Sequence, residues 1–495
     1  MANPLDKLRE TIDQIRENEQ NPEKMKLKEY IGYALGRLCY GSISKMSSDY
    51  LNQFYLAKGI KPGVSGGLLF AQKLYDSVND PLVATYIDSR KNTKNGRFKP
   101  FLAKLVPVLA VTSIAMFAAP DFGNITALMA WCFMTYAIWE TINTFSGISF
   151  EAISTVMSAD PQERTLYTTI GNLGQTLAGL VPGVIPVAFD LCTKTRENGG
   201  LGMSQANFYT MCAVVFAVIG GVAGMFTKNL QERIAPPKKN EHFWESFVLF
   251  FKNKNLLLLW STEVPQLISS AAAPANAQFY IHSMGGYGYQ ALQWIIAGIP
   301  HALAQVLAPF FIKRFRPSRI VMYCTVAQGL LFLVMYPVVK AVGYDTPWGI
   351  FFVMLLSSVG WVPMGIAGIA KNILKMNTFD YTAAQTGKRA EATSLMMYNM
   401  MSKWLWAVAA LIGGFALAYI GFQEDINGVM QVQTQATCDG LFFIFATFPA
   451  IGNILGGLPM MFFKLEGKEF ERRMAELNER NKLEQEIEAE VAIDN

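Results

Sequence analysis

Residues 74–81 read Leu-Tyr-Asp-Ser-Val-Asn-Asp-Pro and lie in an otherwise apolar run, which leads to residues 96–100, Gly-Arg-Phe-Lys-Pro. The spacing of Asp76, Asn79 and Asp80 is i, i+3, i+4, so a helix would carry all three side chains on one face. Two carboxylates and an amide at membrane depth are costly unless they serve a function. Oxygen ligands suit hard cations, and this face therefore predicts a site for an alkali cation or a proton.

The two acids could also have a structural role in place of cation or proton binding. Carboxylates this close repel each other, and a bound proton or metal ion relieves that repulsion. A buried pair satisfied by a Lys or Arg of another helix would relieve it equally well, and the spacing alone does not distinguish the two.

The composition is that of a polytopic membrane protein. Of the 495 residues, 52% are hydrophobic and 16% are charged, with 34 Phe and 24 Met, which does not fit a soluble multidomain enzyme. The net charge of +4 is small and scattered, so we expect no nucleic-acid partner. The six Cys and three His stand apart from one another, which argues against a disulfide framework or a metal cage. The charged first 30 residues lack the apolar region of a signal peptide.

Twelve apolar runs are long enough to cross a bilayer, which takes about 20 helical residues. They lie at about 31–57, 64–87, 101–119, 124–150, 167–192, 207–227, 255–281, 289–312, 319–340, 347–370, 392–420 and 440–463. The first run is the weakest prediction, because Arg37, Lys45 and Asp49 interrupt it.

The Lys and Arg residues of the short loops predict the orientation. With both termini in the cytoplasm, most of these cations lie inside, and the outer loops hold only Lys58, Lys61, Lys194, Arg196 and Lys340. The longest inner loop divides the chain into two six-helix halves. We therefore expect a cytoplasmic N-terminal extension, an N-terminal bundle, a central cytoplasmic loop, a C-terminal bundle and a cytoplasmic tail, at residues 1–28, 29–227, 228–254, 255–464 and 465–495.

Two motifs resemble one family of transporters. The first is Asp76-x-x-Asn79-Asp80-Pro81, followed by Asp88 and residues 96–100; the second comprises Asp380-Tyr381, residues 386–391 (Thr-Gly-Lys-Arg-Ala-Glu) and Lys403. Both are similar to motifs of the glycoside–pentoside–hexuronide:cation symporters, the melibiose-permease branch of the major facilitator superfamily. The resemblance covers about residues 28–465. It implies an all-α membrane protein, with twelve transmembrane helices in the major facilitator fold.

The resemblance also implies a cation site. In the family pattern a Thr at position 144 completes the site, so Asp76, Asn79, Asp80 and Thr144 would bind Na⁺ or H⁺. Thr144 lies in a stripe with Glu140, Gly147 and Glu151, spaced i, i+4, i+7, i+11 on the fourth span. The alternative for Thr144 is a hydroxyl bonded to its own i−4 carbonyl.

Two charged segments resemble the cytoplasmic gate of the family. Their residues are Asp88, Arg97 and Lys99 in the first half and Asp380, Arg389 and Glu391 in the second. The resemblance implies charge pairs that latch the outward-open state and release as the inner side opens. A solvated positive-inside loop is the alternative.

The substrate positions depart from the family. Leu38 stands where an acid follows the Gly36 position, and Gly147 and Glu151 stand where melibiose permease has an Asp and a Trp. Asn172 stands near the position where melibiose permease has an Arg on its fifth span. Paired carboxylates accept hydrogen bonds from vicinal hydroxyls, so their loss argues against an ordinary neutral sugar.

The substrate contacts expected in their place are Arg37, Gly147, Glu151, Asn172 and Lys403. Arg37 would favour an anionic or modified glycoside, whereas a structural bridge from Arg37 to Glu140 or Glu151 is the alternative. Lys403 would lie near the cation site and neutralise Asp76 or Asp80, or else it snorkels to the interface.

The sequence thus predicts a symporter in the cell membrane that couples Na⁺ or H⁺ entry to uptake of a glycoside-like or related polar or anionic solute. We expect a monomer in the lipid bilayer that needs no cofactor. A same-fold alternative carries a non-sugar cargo such as a lysolipid-like amphiphile or an organic anion. The sequence has no HExxH or P-loop motif, which argues against an enzyme. A channel would not need paired acids and gate motifs.

Overall fold

The computed structural model describes residues 24–90, 96–153, 156–158, 161–194, 200–233, 251, 253–386, 391–426, 429–477 and 479. These residues are mainly helical, and the β-structure among them is one isolated bridge between Ile426 and Val429. The chain forms two compact units. The N-terminal unit is Met1–Asn240 with Glu424–Gln431, and the C-terminal unit is Glu241–Gln423 with Val432–Asn495.

The N-terminal unit is built around its first helix. Its described helices are α1 (Leu27–Ala57), α2 (Pro62–Ser89), α3 (Lys99–Phe117), α4 (Ile125–Ile153), α5 (Pro161–Leu180), α6 (Ile185–Thr193) and α7 (Gln205–Gly224). Helix α1 packs against α5 and α7. Small residues permit the close approach: a Cβ added to Gly41 would lie 2.6 Å from the Cβ of Ala178 on α5.

The C-terminal unit begins with short helical pieces. Its described helices are α8 (Lys254–Trp260), α9 (Glu263–Ser270), α10 (Ala273–Gln278), α11 (Gly288–Arg314), α12 (Pro317–Val342), α13 (Pro347–Thr386), α14 (Glu391–Tyr419), α15 (Gln435–Gly457) and α16 (467–477). A π-helical turn, Phe279–Ser283, follows α10. Helix α12 packs against both α13 and α15.

Eight helices of the described chain are long and apolar enough to cross a membrane. They are α3, α4, α7, α11, α12, α13, α14 and α15; the spans extend a few residues beyond the ends of α7 and α15 and are a few residues shorter than α13 and α14. The other four predicted spans coincide with α1, α2, α5–α6 and α8–α10, which are polar or broken into short pieces. The count of twelve spans therefore stays a prediction.

Two predicted runs are interrupted in the structure. The run 167–192 contains a 3₁₀ turn, Val181–Val184, between α5 and α6, and the run 255–281 is divided into α8, α9 and α10. Proline explains the breaks before α6 and α10, because it lacks the N–H that continues a helix. Pro182 lies in the turn of the first run, and Pro274 lies in the first turn of α10.

Asp425 lies in the segment after α14 that belongs to the N-terminal unit. Its N–H donates to the carbonyl of Leu56 at the end of α1 (3.3 Å), and its Oδ1 accepts from the side chain of Gln205 (3.4 Å). Its Oδ2 is buried and has no partner among the described residues. Burial raises the pKa of Asp425 to about 7.

This pKa predicts a pH-dependent stability. Because the pKa of Asp425 is raised in the folded state, the protonated carboxyl stabilises the folded protein. This stabilisation is complete below about pH 4 and is lost as the pH rises through about 7. Asp425→Asn keeps the size of the side chain and removes its titration. We therefore expect the fall in melting temperature between pH 5 and pH 8 to be smaller in Asp425→Asn than in the wild type. Glu424→Gln is the control, and an equal fall in Asp425→Asn and the wild type would contradict the assignment.

Candidate functional site

Asp76 is fully buried between α2 and α4. Its Oδ2 accepts hydrogen bonds from Lys73 Nζ (2.9 Å) and from the hydroxyl of Tyr136 (2.9 Å), and Lys73 Nζ also donates to that hydroxyl (2.9 Å). Its Oδ1 is buried and has no partner within the described part of the chain. One oxygen of the carboxylate is thus satisfied by a cation of the protein, and the other is buried without a hydrogen-bond partner, which favours binding of a proton or a cation there.

A second polar group lies one helical turn further along α2. The hydroxyl of Thr144 donates to Asp80 Oδ1 (2.9 Å), and Asn79 Nδ2 donates to Thr144 Oγ1 (3.3 Å). Asn79 Oδ1 accepts from Thr141 Oγ1 (3.2 Å), which also contacts the hydroxyl of Tyr75 (2.7 Å). These hydrogen bonds tie α2 to α4 through side chains that are all uncharged except Asp80.

The oxygen donors of the two groups suit a monovalent cation or a proton. Within the described residues, no cluster of three or more His, Cys, Asp and Glu side chains is present. A cation held by Asp76, Asn79, Asp80 and Thr144 would have two carboxylates, an amide and a hydroxyl as ligands. That set is hard and contains no nitrogen or sulfur ligand of the kind a transition metal prefers.

The structure changes two of the sequence interpretations. The alternative partner for Asp76 was a cation of another helix, but Lys73 lies on the same helix, three residues before it. The alternative for Thr144 was its own i−4 carbonyl, but its hydroxyl reaches Asp80 on α2. The sequence analysis did not identify Lys73 and Tyr136, although the sequence spacing of both residues pointed to this site. Lys73 is at i−3 from Asp76, and Tyr136 begins the stripe that continues at Glu140 and Thr144.

Arg37 is half-buried on α1, and its Nε atom has no partner among the described residues. Arg37, Glu140 and Glu151 all act electrostatically on the hydroxyl of Tyr40. Glu140 is buried and accepts from Asn143 Nδ2 (3.2 Å), whereas Glu151 is exposed near the end of α4. The predicted substrate positions of α1 and α4 therefore share one neighbourhood around Tyr40.

Gly147 has a packing role. A Cβ added to it would lie 2.5 Å from the hydroxyl oxygen of Tyr40. A larger side chain at this position would require the Tyr40 ring to move.

The remaining predicted substrate residues are on other helices. Asn172 lies on α5, but its side chain is outside the described residues. Lys403 lies half-buried on α14 in the C-terminal unit.

The first gate segment is held through its backbone. The N–H of Arg97 donates to Glu232 Oε2 (2.8 Å), and the N–H groups of Phe98 and Lys99 donate to Glu232 Oε1 (2.7 Å each). Gly96 has a positive φ of 89° and packs against the same carboxylate. Glu232 therefore caps the amino end of α3, where free N–H groups and the helix dipole favour an anion.

The gate role of Arg97 and Lys99 stays a prediction. Their backbone amides bind a carboxylate that the sequence analysis did not identify. The side chains of Asp88, Asp380 and Glu391 and the whole of Arg389 lie outside the described residues.

A similar cap recurs in the C-terminal unit. Glu466, just after the last span, accepts from the N–H of Ser318 (2.8 Å) and from its hydroxyl (2.6 Å) at the amino end of α12. Each unit thus has a glutamate that follows its last predicted span and caps the third of its predicted spans. Arg233, next to Glu232, adds an ion pair with buried Glu29 (3.0 Å) at the start of α1.

We expect Glu232→Ala to destabilise the protein strongly. It removes an acceptor of three backbone N–H groups, and a hydrogen bond to a charged group contributes about 1.5–3 kcal/mol. Thermal unfolding of the purified protein should show a clear drop in melting temperature, with a smaller drop for Glu232→Gln, which retains one acceptor oxygen. Glu471→Ala, on the exposed face of α16, is the control. Equal melting temperatures for Glu232→Ala and this control would contradict the capping role.

Comparison with known proteins places the chain among transporters. Residues 32–467 match the family model described as MFS/sugar transport protein. An uncharacterized symporter of Bacillus subtilis (strain 168), YjmB, is 24% identical over 93% of this chain and 97% of its own length. A putative sulfoquinovose importer of Salmonella typhimurium is 24% identical over 93% of this chain and 94% of its own length. The crystal structure of a D-xylose-proton symporter covers 89% of this chain and 98% of its own, with a TM-score of 0.61 at 13% identity.

Proposed function

We propose that this chain, which belongs to the MFS/sugar transport protein family, couples entry of Na⁺ or H⁺ to uptake of an anionic, glycoside-like solute. The family makes it a membrane-embedded secondary transporter of sugar-like substrates and not an enzyme, with the helical fold of the major facilitator superfamily. The coupling ion, the particular cargo, the cell membrane as its location, cytoplasmic termini and a monomeric state are our proposals.

The half-partnered carboxylate of Asp76 carries the proposal of coupling. A buried carboxylate with an unsatisfied oxygen is costly at membrane depth, and a cation or proton removes that cost. The ammonium of Lys73 compensates part of the charge of Asp76 through Oδ2. Binding of the ion would draw Asp76 toward Asn79, Asp80 and Thr144.

Helix α4 provides a physical link between cation and cargo. It supplies Tyr136 and Thr144 to the acid groups of α2, and it also supplies Glu140, Gly147 and Glu151 to the neighbourhood of Arg37 and Tyr40. A cation that fixes α4 against α2 would order the cargo contacts on the same helix. By reciprocity, the bound cargo would then strengthen cation binding by the same factor.

The anionic character of the cargo rests on Arg37. A half-buried guanidinium with an unpartnered Nε offers a bidentate fork to a carboxylate or sulfonate. The name of the putative sulfoquinovose importer, a relative over nearly the whole chain, refers to a sulfonated sugar, which agrees with this interpretation.

Uptake into proteoliposomes tests the proposal. Vesicles with the purified protein would receive an imposed Na⁺ gradient or pH gradient and a radiolabelled glucuronide, a 6-sulfoglucoside or a neutral glucoside. We expect accumulation of a charged glycoside above its outside concentration with one of the two gradients. Accumulation that is the same with and without a cation gradient would contradict coupling, and a preference for the neutral glucoside would contradict the anionic cargo.

A further inference from the structure

Two segments that are far apart in sequence meet at the ends of three membrane helices of the C-terminal unit. The first connects α11, which ends at Arg314, to α12, which begins at Pro317. The second follows the span that contains α15 and ends at Phe462. Its Glu466 accepts hydrogen bonds from the N–H (2.8 Å) and the hydroxyl (2.6 Å) of Ser318, and both residues are buried. This contact fixes the second segment beside the amino end of α12.

Six exposed cations lie within five residues of Ser318 or Glu466 along the chain. They are Lys313, Arg314, Arg316 and Arg319 in the first segment and Lys464 and Lys468 in the second. Among the residues that the structure describes, none of the six forms an ion pair. The acids of the second segment have other partners, since Glu466 caps α12. Glu469 pairs with Arg472 (3.0 Å) and Arg473 (2.8 Å). We call these six cations the basic surface, and their charge is left for an external partner.

The basic surface lies at the level of the lipid headgroups. Helices α11 and α12 and the span of α15 are each long and apolar enough to cross a membrane, and the six cations lie within a few residues of their ends. Phe315, between two of the arginines, is 54% exposed, and Phe462 is 70% exposed. At this boundary a ring can enter the acyl region while a basic side chain reaches the phosphates. A lipid can therefore satisfy both kinds of side chain at once.

The corresponding connection of the N-terminal unit, between α2 and α3, uses its cations differently. The guanidinium of Arg90 lies 5.2 Å from the centre of the Phe101 ring and 5.9 Å from that of Tyr86. Arg97 and Lys99 are half-buried, whereas the cations of the basic surface are exposed. The described cations of the first unit are thus partly engaged by the protein, and those of the second unit are available to a ligand.

We propose that the basic surface binds the phosphodiester headgroup of an anionic phospholipid, such as phosphatidylglycerol. A guanidinium offers a bidentate fork to two phosphate oxygens, and an ammonium adds a compact charge. The acyl chains of the same lipid would contact the exposed rings of Phe315 and Phe462. Because the cations come from both segments, one bound headgroup would bridge the connection between α11 and α12 to the segment after α15. This site is independent of the cargo and of the coupling ion.

Two double variants remove equal charge from the two segments. Arg314→Gln/Arg316→Gln changes the first segment, and Lys464→Gln/Lys468→Gln changes the second. All four side chains are exposed, and both variants leave the glutamate cap of α12 intact. We therefore expect both to have the melting temperature of the wild type in lipid-free detergent, so that a change in lipid binding does not reflect unfolding.

The test is native mass spectrometry of the purified full chain with dioleoylphosphatidylglycerol and with dioleoylphosphatidylcholine. Each cation near an anionic lipid strengthens binding about fivefold, so each double variant should bind phosphatidylglycerol about tenfold or more weakly than the wild type. Binding of phosphatidylcholine should stay the same. The control is Lys61→Gln/Lys228→Gln, which removes two exposed cations outside the basic surface and should bind both lipids like the wild type.

Two results would overturn the proposal. The joint site is wrong if either double variant of the basic surface binds phosphatidylglycerol as tightly as the wild type. Glycerophosphoglycerol, the soluble headgroup without acyl chains, should compete only weakly with the lipid. Competition as strong as that of the intact lipid would show a site for a soluble phosphate and not for a membrane lipid.

Discussion

Asp76→Asn should abolish cation-driven accumulation of cargo. The substitution removes the charge of a fully buried carboxylate whose Oδ1 is open to a ligand, and it leaves the volume of the side chain unchanged. A tenfold cation gradient stores about 1.4 kcal/mol, which suffices for about tenfold accumulation in one-to-one symport. In proteoliposomes the variant should equilibrate its cargo without accumulating it. Exchange of cargo across the membrane should partly survive, because the residues near Arg37 are intact.

Two companion variants sharpen this result. Asp80→Asn should give the same loss, since Asp80 receives the hydroxyl of Thr144. Lys73→Gln keeps both carboxylates but removes the ammonium that compensates Asp76, so we expect coupling to persist with half-maximal activation at a lower cation concentration. If Asp76→Asn and Asp80→Asn accumulate cargo like the wild type with the same cation dependence, the site on α2 and α4 is wrong.

Arg37→Ala should lower the affinity for an anionic cargo by about ten- to a hundredfold. Loss of a charge-assisted hydrogen-bond partner costs about 1.5–3 kcal/mol, and each 1.4 kcal/mol is a factor of ten in affinity. Binding of a glucuronide or a 6-sulfoglucoside to the purified protein measures this change. Glu151→Ala should have a much smaller effect, because Glu151 is exposed and has the same charge sign as the cargo.

Arg37→Lys distinguishes a bidentate guanidinium contact with the cargo from attraction by positive charge alone. Lysine keeps the charge but loses the fork, so a bidentate contact predicts an intermediate affinity. Tight binding of a neutral glycoside that Arg37→Ala leaves unchanged would show that the substrate preference inferred from Leu38 and Gly147 is mistaken.

The sequence predicted those parts of the site that depend on helical periodicity. The spacing of Asp76, Asn79 and Asp80 placed them on one face of α2, and the family pattern paired that face with Thr144 on α4. The structure brings Asn79, Asp80 and Thr144 into direct contact and gives Asp76 a separate set of partners. Periodicity specifies a face, but which of its members share a partner depends on the register of two packed helices.

The rest depends on contacts far apart in sequence. Glu232 lies in a segment without periodicity, 133 residues from Lys99, whose N–H it accepts. The packing role of Gly147 is likewise visible only in the structure, because the hydroxyl that fills the space beside it belongs to Tyr40 on another helix.

The central claim is that the oxygens of Asp76, Asn79, Asp80 and Thr144 hold the coupling cation. The most direct measurement is the melting temperature of the purified protein in Na⁺ against choline at constant ionic strength, repeated from pH 5.5 to pH 8. Ligand at a hundredfold excess over its dissociation constant stabilises by about 2.7 kcal/mol. In the Asp425→Asn background, which lacks the titration of Asp425, the account predicts stabilisation by Na⁺ or by low pH that is lost when Asp80→Asn or Thr144→Val is added and kept with Glu151→Gln. An equal stabilisation with and without Asp80→Asn in this background would contradict it.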